Sequence, residues 1–477
     1  MKALRITLVI LVLLSKFSYA QRDSSNYFYP KLRIDIPLMD VNHWRNAAYT
    51  GANHLCTTAD CQPNFGDWAF SIYKNPSMFQ ATALNLSAEQ TTAWASQLLS
   101  NRVIKPKTLT GKAGNILVSQ FFSAISTLVI LQGLPFGQSW LHEEYHRSVM
   151  ATNRVGSRNP FDDFSIDISN GSVSDIYDYE LSRFKKGDKN SFTRMLIAGG
   201  EGELLAARGF QEYNFFFDGN LPTEMKAILY TTAFVNYFND TYAKIDSMNI
   251  EGNRNDGSSI LKRDFTGHDY SGWIWHLFKP DAPYESLGTH PSGVGFNRYI
   301  TSDRLNSEEK SYYENVKSKA WTNWLSPMYF GFRKIKLKEH VFVNFAVQYQ
   351  PTSFGVDQNV LVYYRNKRNK WSFGYHNYQN FKNDFYSLDV SWIDKKFPSL
   401  EKWSFTSRVM LGNQPKNQEF KTGSSQFFGL ASVTAYYKPK QKISFYGQLQ
   451  AKSEGWVAGD EYLREMMRVR LGLRIEI

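Results

Sequence analysis

The segment WLHEEYH, residues 140–146, places two histidines four positions apart, with a glutamate directly after the first. On a helix, His142 and His146 lie on one face, so both imidazoles can bind a single ion. Glu143 lies beside them, where its carboxylate can take a proton from a water molecule that the ion has made more acidic. The spacing therefore predicts a metal-assisted hydrolytic site. The alternative is a helix whose histidines hydrogen-bond to neighbouring groups such as Glu144.

A third ligand can come from the segment MLIAGGEGELLAAR, residues 195–208. Glu203 is the favoured ligand. Glu201 is the alternative, and because it is two residues away it faces another side of the helix. The glycines at 199, 200 and 202 predict close approach of another helix, since glycine otherwise weakens a helix. A flexible helix with two solvated acids is the competing interpretation.

From His142 onward the sequence resembles the gluzincin metallopeptidases, in which a Glu from a later helix completes an HExxH motif. The segment ELLA, which begins at Glu203, is similar to the ligand helix of that family, with Ala207 where the family has Asp. The resemblance implies a zinc ion bound by His142, His146 and Glu203. It also implies that Glu143 is the catalytic base and that the substrate is a peptide or protein.

Two further segments carry polar residues among aromatic ones. TGHDYSGW contains His268 and Asp269, and His276 follows in WIWHLF. Any of the three could, when protonated, donate a hydrogen bond to an oxyanion, but a lone histidine beside aromatic residues more often belongs to a core. The sequence alone gives none of them a role.

The N-terminus is typical of an exported protein. Residues 1–20 combine Lys2 and Arg5, an apolar run and small residues at the end, which predicts a cleavable signal peptide. In an exported chain, Cys56 and Cys61 are predicted to form a disulfide. A zinc site built on this Cys-x4-Cys pair is the alternative, although no second pair of thiols completes it.

The charge and the aromatic content point to different classes of partner. The 55 Lys and Arg outnumber the 44 Asp and Glu, but they are scattered, so no nucleic-acid partner is predicted. Aromatic residues make up 16% of the chain, which is high for a soluble enzyme and suits aromatic girdles at a membrane interface.

The hydrophobic period changes along the chain. Residues 21–76 contain one strand pattern, at 29–38, and residues 77–326 have a helical period. Ser87 and Gln90 have capping-box spacing, which predicts a helix start there. The apolar run 116–131 is interpreted as a buried core helix, with an intramembrane helix as the alternative.

Residues 327–477 alternate with the period of strands, most clearly in the last stretch, which is apolar on one face and charged on the other. This stretch resembles the closing strand of bacterial outer-membrane β-barrels, and Gly472, Ile475 and Ile477 occupy the positions of that family's terminal signal. The resemblance implies location in the outer membrane of a Gram-negative bacterium, in contact with lipid. A secreted β-sandwich is the alternative.

Together the patterns predict an α+β chain with a zincin-like helical domain at 77–326. A transmembrane antiparallel β-barrel of about eight to ten strands follows at 327–477. If residues 29–38 supply a further strand, the helical domain is an insertion on the outer side; if the pattern at 330–337 is not a barrel strand, the domain is periplasmic. The predicted function is an outer-membrane zinc metallopeptidase. The alternative is a non-enzymatic pore or assembly protein with a helical plug or cap.

Overall fold

The computed structural model describes residues 29–42, 76–163 and 171–477. The predicted signal peptide and the predicted Cys56–Cys61 disulfide lie outside these residues. Within the described part the chain is an α+β protein, with a helical unit inserted between the first and second strands of a ten-stranded antiparallel sheet.

The described residues contain ten α-helices. They are α1 (Met78–Val103), α2 (Leu109–Ile125), α3 (Gln138–Thr152), α4 (Asp178–Gly187), α5 (Lys189–Met195), α6 (Ala198–Phe217), α7 (Glu224–Phe238), α8 (Tyr242–Asn255), α9 (Asp269–Phe278) and α10 (Ser307–Lys317). The helix predicted to carry HExxH is therefore present as α3.

Helix α1 begins ten residues earlier than its predicted capping box. Ser77 accepts the N–H of Gln80 at 3.2 Å, and the Gln80 side chain accepts the N–H of Ser77 at 3.0 Å. The prediction at Ser87 was wrong because that residue lies inside the helix. Its hydroxyl instead donates to the carbonyl of Asp35 at 3.0 Å, which attaches α1 to the first strand.

The strands are β1 (Arg33–Asn42), β2 (Ile335–Lys338), β3 (Val341–Thr352), β4 (Gly355–Arg365), β5 (Lys370–Gln379), β6 (Asp384–Lys396), β7 (Trp403–Pro415), β8 (Ser425–Lys440), β9 (Ile443–Lys452) and β10 (Met466–Glu476). Their spatial order is β1-β10-β9-β8-β7-β6-β5-β4-β3-β2. The pattern near residues 29–38 does form a strand, and it pairs with β10. Strands β1 and β2 are the two edges, and in the described residues no ladder joins them.

The two faces of the sheet have opposite polarity. One face is apolar and exposed: Phe427 is 68% exposed, Leu449 65% and Leu388 60%. The other face is rich in Ser, Thr, Gln, Asn and Arg, and every strand except β2 contributes to the lining of one cavity of about 470 Å³. Because one cavity touches nearly all the strands, the sheet must curve around it. Helices α1 and α6 complete the lining.

Helix α6 lies inside this curve, and the residues at its C-terminal end contact both edges of the sheet. Just before β1, the N–H of Lys31 donates to the carbonyl of Gly219 at 2.8 Å. At the other edge, Lys334, which directly precedes β2, forms an ion pair with Asp218, and Arg365 of β4 pairs with the same carboxylate. The gap between β1 and β2 is therefore bridged by the helical unit.

The opposite end of the helical unit packs on one end of the sheet. Trp273 donates to the carbonyl of Thr352 at 3.0 Å, and Arg194 donates to the carbonyl of Val457 at 3.1 Å. Thr352 adjoins the β3–β4 turn and Val457 lies in the β9–β10 connection, and these two connections are at the same end of an antiparallel sheet. That end also carries the two longest connections between neighbouring strands of the sheet, 416–424 and 453–465.

Helix α2 continues into a π-helical turn, Ser126–Leu131, so the apolar helical run is longer than the sequence pattern indicated. The run Leu109–Leu131 has 23 residues, and by length and composition it is apolar enough to cross a membrane. It is buried on one side only, since Phe121 is 59% exposed and Val129 73%. The core-helix interpretation therefore holds for one face of this helix.

Candidate metal centre

Three side chains, two from α3 and one from α9, meet beside the first turn of α6. The Nε2 atom of His142 lies 3.1 Å from Oδ2 of Asp269, and the Nε2 atom of His146 lies 3.3 Å from the same oxygen. One ligand atom from each residue lies within 4.8 Å of the other two. Asp269 and His146 are buried, and His142 is nearly so. This group could hold a metal ion.

The separations suit one small ion. Ligand atoms at about 2.0–2.1 Å from a tetrahedral zinc lie about 3.3 Å from one another. The two distances to the Asp269 oxygen are 3.1 and 3.3 Å. The donor set, two imidazole nitrogens and one carboxylate oxygen, is also a set that zinc accepts. Three protein ligands leave a fourth position for water or substrate.

The other nitrogen of each imidazole has its own partner. Nδ1 of His146 lies 2.5 Å from the carbonyl oxygen of Met195, which only accepts, so Nδ1 carries the proton. This leaves a lone pair on the buried Nε2, which lies 3.3 Å from the Asp269 oxygen and makes no hydrogen bond within the described residues. Nδ1 of His142 faces Oε1 of Glu203 at 3.6 Å. Such partners fix the orientation of metal-binding histidines.

Asp269 is placed by the start of α9. His268 caps this helix, since its Nδ1 accepts the N–H of Ser271 at 3.3 Å. The backbone N–H of Asp269 donates to the hydroxyl of Tyr237 at 3.1 Å. A carboxylate in the first turn of a helix is also favoured by the helix dipole. His276, at the other end of α9, is buried between Phe192 and Tyr284, as a core residue would be.

The centre brings several acidic groups together in a buried volume. Burial alone would lower the pKa of His142, but Asp269 and Glu203 raise it well above 6.5. Burial raises the pKa of Glu143 well above its usual value, His142 opposes this, and Asp264 and Asp269 raise it further. Burial likewise raises the pKa of Asp264, to about 8. A divalent cation would offset several carboxylates held in so small a volume.

Of the residues proposed from sequence, His142, His146 and Glu143 lie together on α3. Glu201 and Glu203, both on α6, do not join the metal group. Glu203 lies on the Nδ1 side of His142 and also accepts from Gln138 at 3.2 Å. Asp269 occupies the place given to Glu203, because it reaches the Nε2 atoms of both histidines.

Glu201, the alternative ligand, faces away from the histidines. It forms an ion pair with Arg194 at 2.9 Å and accepts the N–H of Gly459 at 2.6 Å. Burial raises the pKa of Glu201 to about 7, and the Arg194 guanidinium limits that rise. Its contacts join α6 to the β9–β10 connection, which is a structural role.

The glycines of α6 are explained by the closeness of α3. A Cβ atom on Gly199 would lie 2.4 Å from Nε2 of His142 and 2.5 Å from Nε2 of His146, and a Cβ on Gly202 would lie 2.9 Å from the Tyr145 ring. Only glycine lets the α6 backbone lie against the two imidazoles. The predicted close approach of another helix is confirmed.

The large cavity and the metal group are separate, since the residues that line the cavity include Tyr145 but neither histidine of α3 nor Asp269. No protein-family model matches the sequence, and no curated protein is significantly similar to it.

Proposed function

We propose that this chain is a zinc-dependent metallopeptidase embedded in the outer membrane of a Gram-negative bacterium. The observation that carries the proposal is the buried convergence of His142, His146 and Asp269 at separations of 3.1 and 3.3 Å. This matches the geometry and chemistry of a catalytic zinc site with one open position.

Each residue of the centre then has a distinct task. Zinc bound by the three ligands would polarise a peptide carbonyl and lower the pKa of a water molecule. A divalent cation beside the buried Glu143 would favour its ionised form, and that carboxylate would accept a proton from the water and deliver it to the leaving amine. Glu203 and the Met195 carbonyl hold the two imidazoles in the orientation that binding requires.

The polarity of the sheet supports a membrane location. In water, a sheet buries its apolar face and exposes its polar face. Here the apolar face is exposed and the polar face is covered, which is the arrangement of outer-membrane barrels. We therefore propose that the ten strands form the wall of a transmembrane barrel whose outer face contacts lipid.

The connections suggest which side of the membrane the metal centre faces. Outer-membrane barrels have short periplasmic turns and longer external loops. The helical unit contacts the end of the sheet that carries the connections 416–424 and 453–465. In this proposal the helical unit therefore faces the exterior, where peptides or proteins outside the cell would be its substrates.

The position of α6 favours a second candidate function. This helix lies inside the curve of the sheet and narrows the space there to the cavity of about 470 Å³. A helix in that position would act as a plug, as expected of a non-enzymatic pore or assembly protein. That protein would need no metal and no Glu143.

Metal analysis of the folded full-length protein distinguishes the two functions. We expect about one zinc per chain, lost in His142→Ala and kept in His340→Asn. His340 is the matched control because it is an exposed histidine in the β2–β3 turn, 48% accessible at its side chain. Cleavage of a mixed peptide library should follow the metal content. A folded protein that binds no metal contradicts the peptidase and supports the plug.

A further inference from the structure

The helical run Leu109–Leu131, which we call the seam helix, has an inverted polarity. Its covered side is polar: Asn115 accepts from Gln97 at 2.8 Å, and Thr127 donates to Glu89 at 2.8 Å. Its open side is apolar, with Phe121 59% and Val129 73% exposed. A helix that faces water has the opposite arrangement.

The seam helix stands at the gap between the two edge strands. It packs against α1, and α1 is attached to β1 through Ser87 and Asp35. On its other side, Gln120 accepts the N–H of Met225 at 3.2 Å at the start of α7. The neighbouring Glu224 forms an ion pair with Arg333, which precedes β2. The helix therefore spans the interval that no strand pairing closes.

We infer that the seam helix is part of the barrel wall and that its open face contacts the acyl chains of the bilayer. This inference rests on the proposed membrane location of the sheet. The 23 residues extend about 34 Å as a helix, enough to cross a hydrocarbon core of about 30 Å. The face continues the exposed apolar face of the sheet across the gap.

The positive charge at one end of the seam helix also fits contact with a lipid bilayer. Arg102, Lys105 and Lys107 lie just before its N-terminus and are exposed. Basic side chains at the end of a lipid-facing helix can reach the phosphates of the headgroups while the apolar face stays in the hydrocarbon. A bilayer places charged headgroups next to hydrocarbon, as the basic residues and the apolar face require.

Site-directed spin labelling of the full-length protein in lipid vesicles tests the inference. Labels are attached to Phe121→Cys and Val129→Cys on the seam helix, in a background with Cys56→Ser and Cys61→Ser. Leu449→Cys reports the exposed apolar face of β9, and Lys367→Cys reports the exposed β4–β5 turn. The measurement is collision of each label with oxygen, which dissolves in lipid, and with a water-soluble nickel chelate.

We expect the labels at 121 and 129 to match the label at 449: open to oxygen and protected from nickel, unlike the label at 367. If the seam-helix labels are open to nickel while 449 is protected, the inference is overturned and the membrane location of the sheet stands. Protection from both reagents also overturns it, since a protein partner or second copy then covers the face. If 449 is open to nickel as well, the membrane location itself fails.

Each labelled protein must first show the folded gel mobility of the unlabelled chain. Ile130→Cys, at another exposed apolar position of the seam helix (52% exposed), replaces either seam-helix variant that does not fold.

Discussion

Asp269 and Glu203 are both buried acids next to His142, but they approach different nitrogens of its ring. Asp269 lies 3.1 Å from Nε2, and Glu203 lies 3.6 Å from Nδ1. We expect Asp269→Asn to abolish stoichiometric zinc binding, because it removes an anionic ligand. Glu203→Gln should weaken binding by only about 10–100-fold, because it changes a partner of the ligand. Zinc titration of both variants tests this, and the reverse order would restore Glu203 as the ligand.

Glu143 is predicted to serve the reaction and not the binding of the ion. Glu143→Gln keeps the shape of the side chain and removes its capacity to accept a proton, so zinc content should be unchanged. Hydrolysis should fall by about 10²–10⁴-fold. Parallel measurements of metal content and peptide cleavage test this. Loss of zinc in Glu143→Gln would mean that the carboxylate is a ligand.

The raised pKa of His142 predicts how zinc binding depends on pH. In the metal-free protein Asp269 and Glu203 hold the pKa of His142 well above 6.5, so the imidazole is protonated at neutral pH. Zinc needs the lone pair on Nε2, so binding releases about one proton. Apparent affinity should therefore fall roughly tenfold per unit as pH falls from about 7 to 6. Calorimetry in two buffers of different ionisation enthalpy counts the proton; no release contradicts the prediction.

For single residues, the sequence predicts those contacts that follow from spacing along one helix. His142, Glu143 and His146 are close because one helical turn brings them together. This spacing can be read directly from residues 140–146. Asp269 is separated from His142 by 127 residues, so only the tertiary fold brings it to the site. The only feature of the sequence that pointed to Asp269 was its position in TGHDYSGW, at the start of a helix rich in aromatic residues.

Among the elements, α3 and α6 position the centre through their backbone contact. Gly199→Ala would place a Cβ 2.4 Å from His142, so the helices must separate. Overpacking of this kind costs about 1–3 kcal/mol, and we expect a comparable, roughly tenfold or larger, loss of zinc affinity. The matched control is Gly187→Ala at the end of α4, where a Cβ would meet no atom of the described residues within 4 Å. Equal zinc affinities for the two variants would contradict the close contact.

Helix boundaries were less predictable than helix positions. Within the helical pattern predicted for 77–326, helices α5 and α6 are separated at Leu196 and Ile197. The hydrophobic period continues through this break because both helices bury residues in the same core. Similarly, α7 and α8 are separate helices within the same predicted pattern. Periodicity reports burial, and buried segments can change direction without losing it.

For the whole molecule, alternation along each strand was enough to predict an antiparallel sheet with two different faces. It could not predict how the gap between β1 and β2 is bridged, because Asp218 and Gly219, which contact the two edges, follow α6 and are distant in sequence from both strands. For the same reason, the sequence could not show that the run at 116–131 is covered on one side and exposed on the other. Its composition suits both a core and a membrane, and only its place beside the gap shows which side is covered.

A charge placed on the exposed face of the sheet provides a test of what surrounds the molecule. Leu388 is 60% exposed and pairs with Tyr375 and Leu411, which are also exposed. If that face were in water, Leu388→Arg would change stability little. Against lipid, an arginine near the middle of a strand costs about 2–4 kcal/mol.

We therefore expect Leu388→Arg to reduce strongly the fraction of chain that folds into vesicles, measured by heat-modifiable gel mobility. Leu400→Arg, at a 42% exposed leucine in the β6–β7 connection, should fold like the unmodified chain. That connection lies in water whether the exposed face of the sheet contacts lipid or water. Equal folding of the two variants would show that Leu388 faces water and that the sheet is not a membrane wall. The metal centre would then have to be explained in a soluble protein.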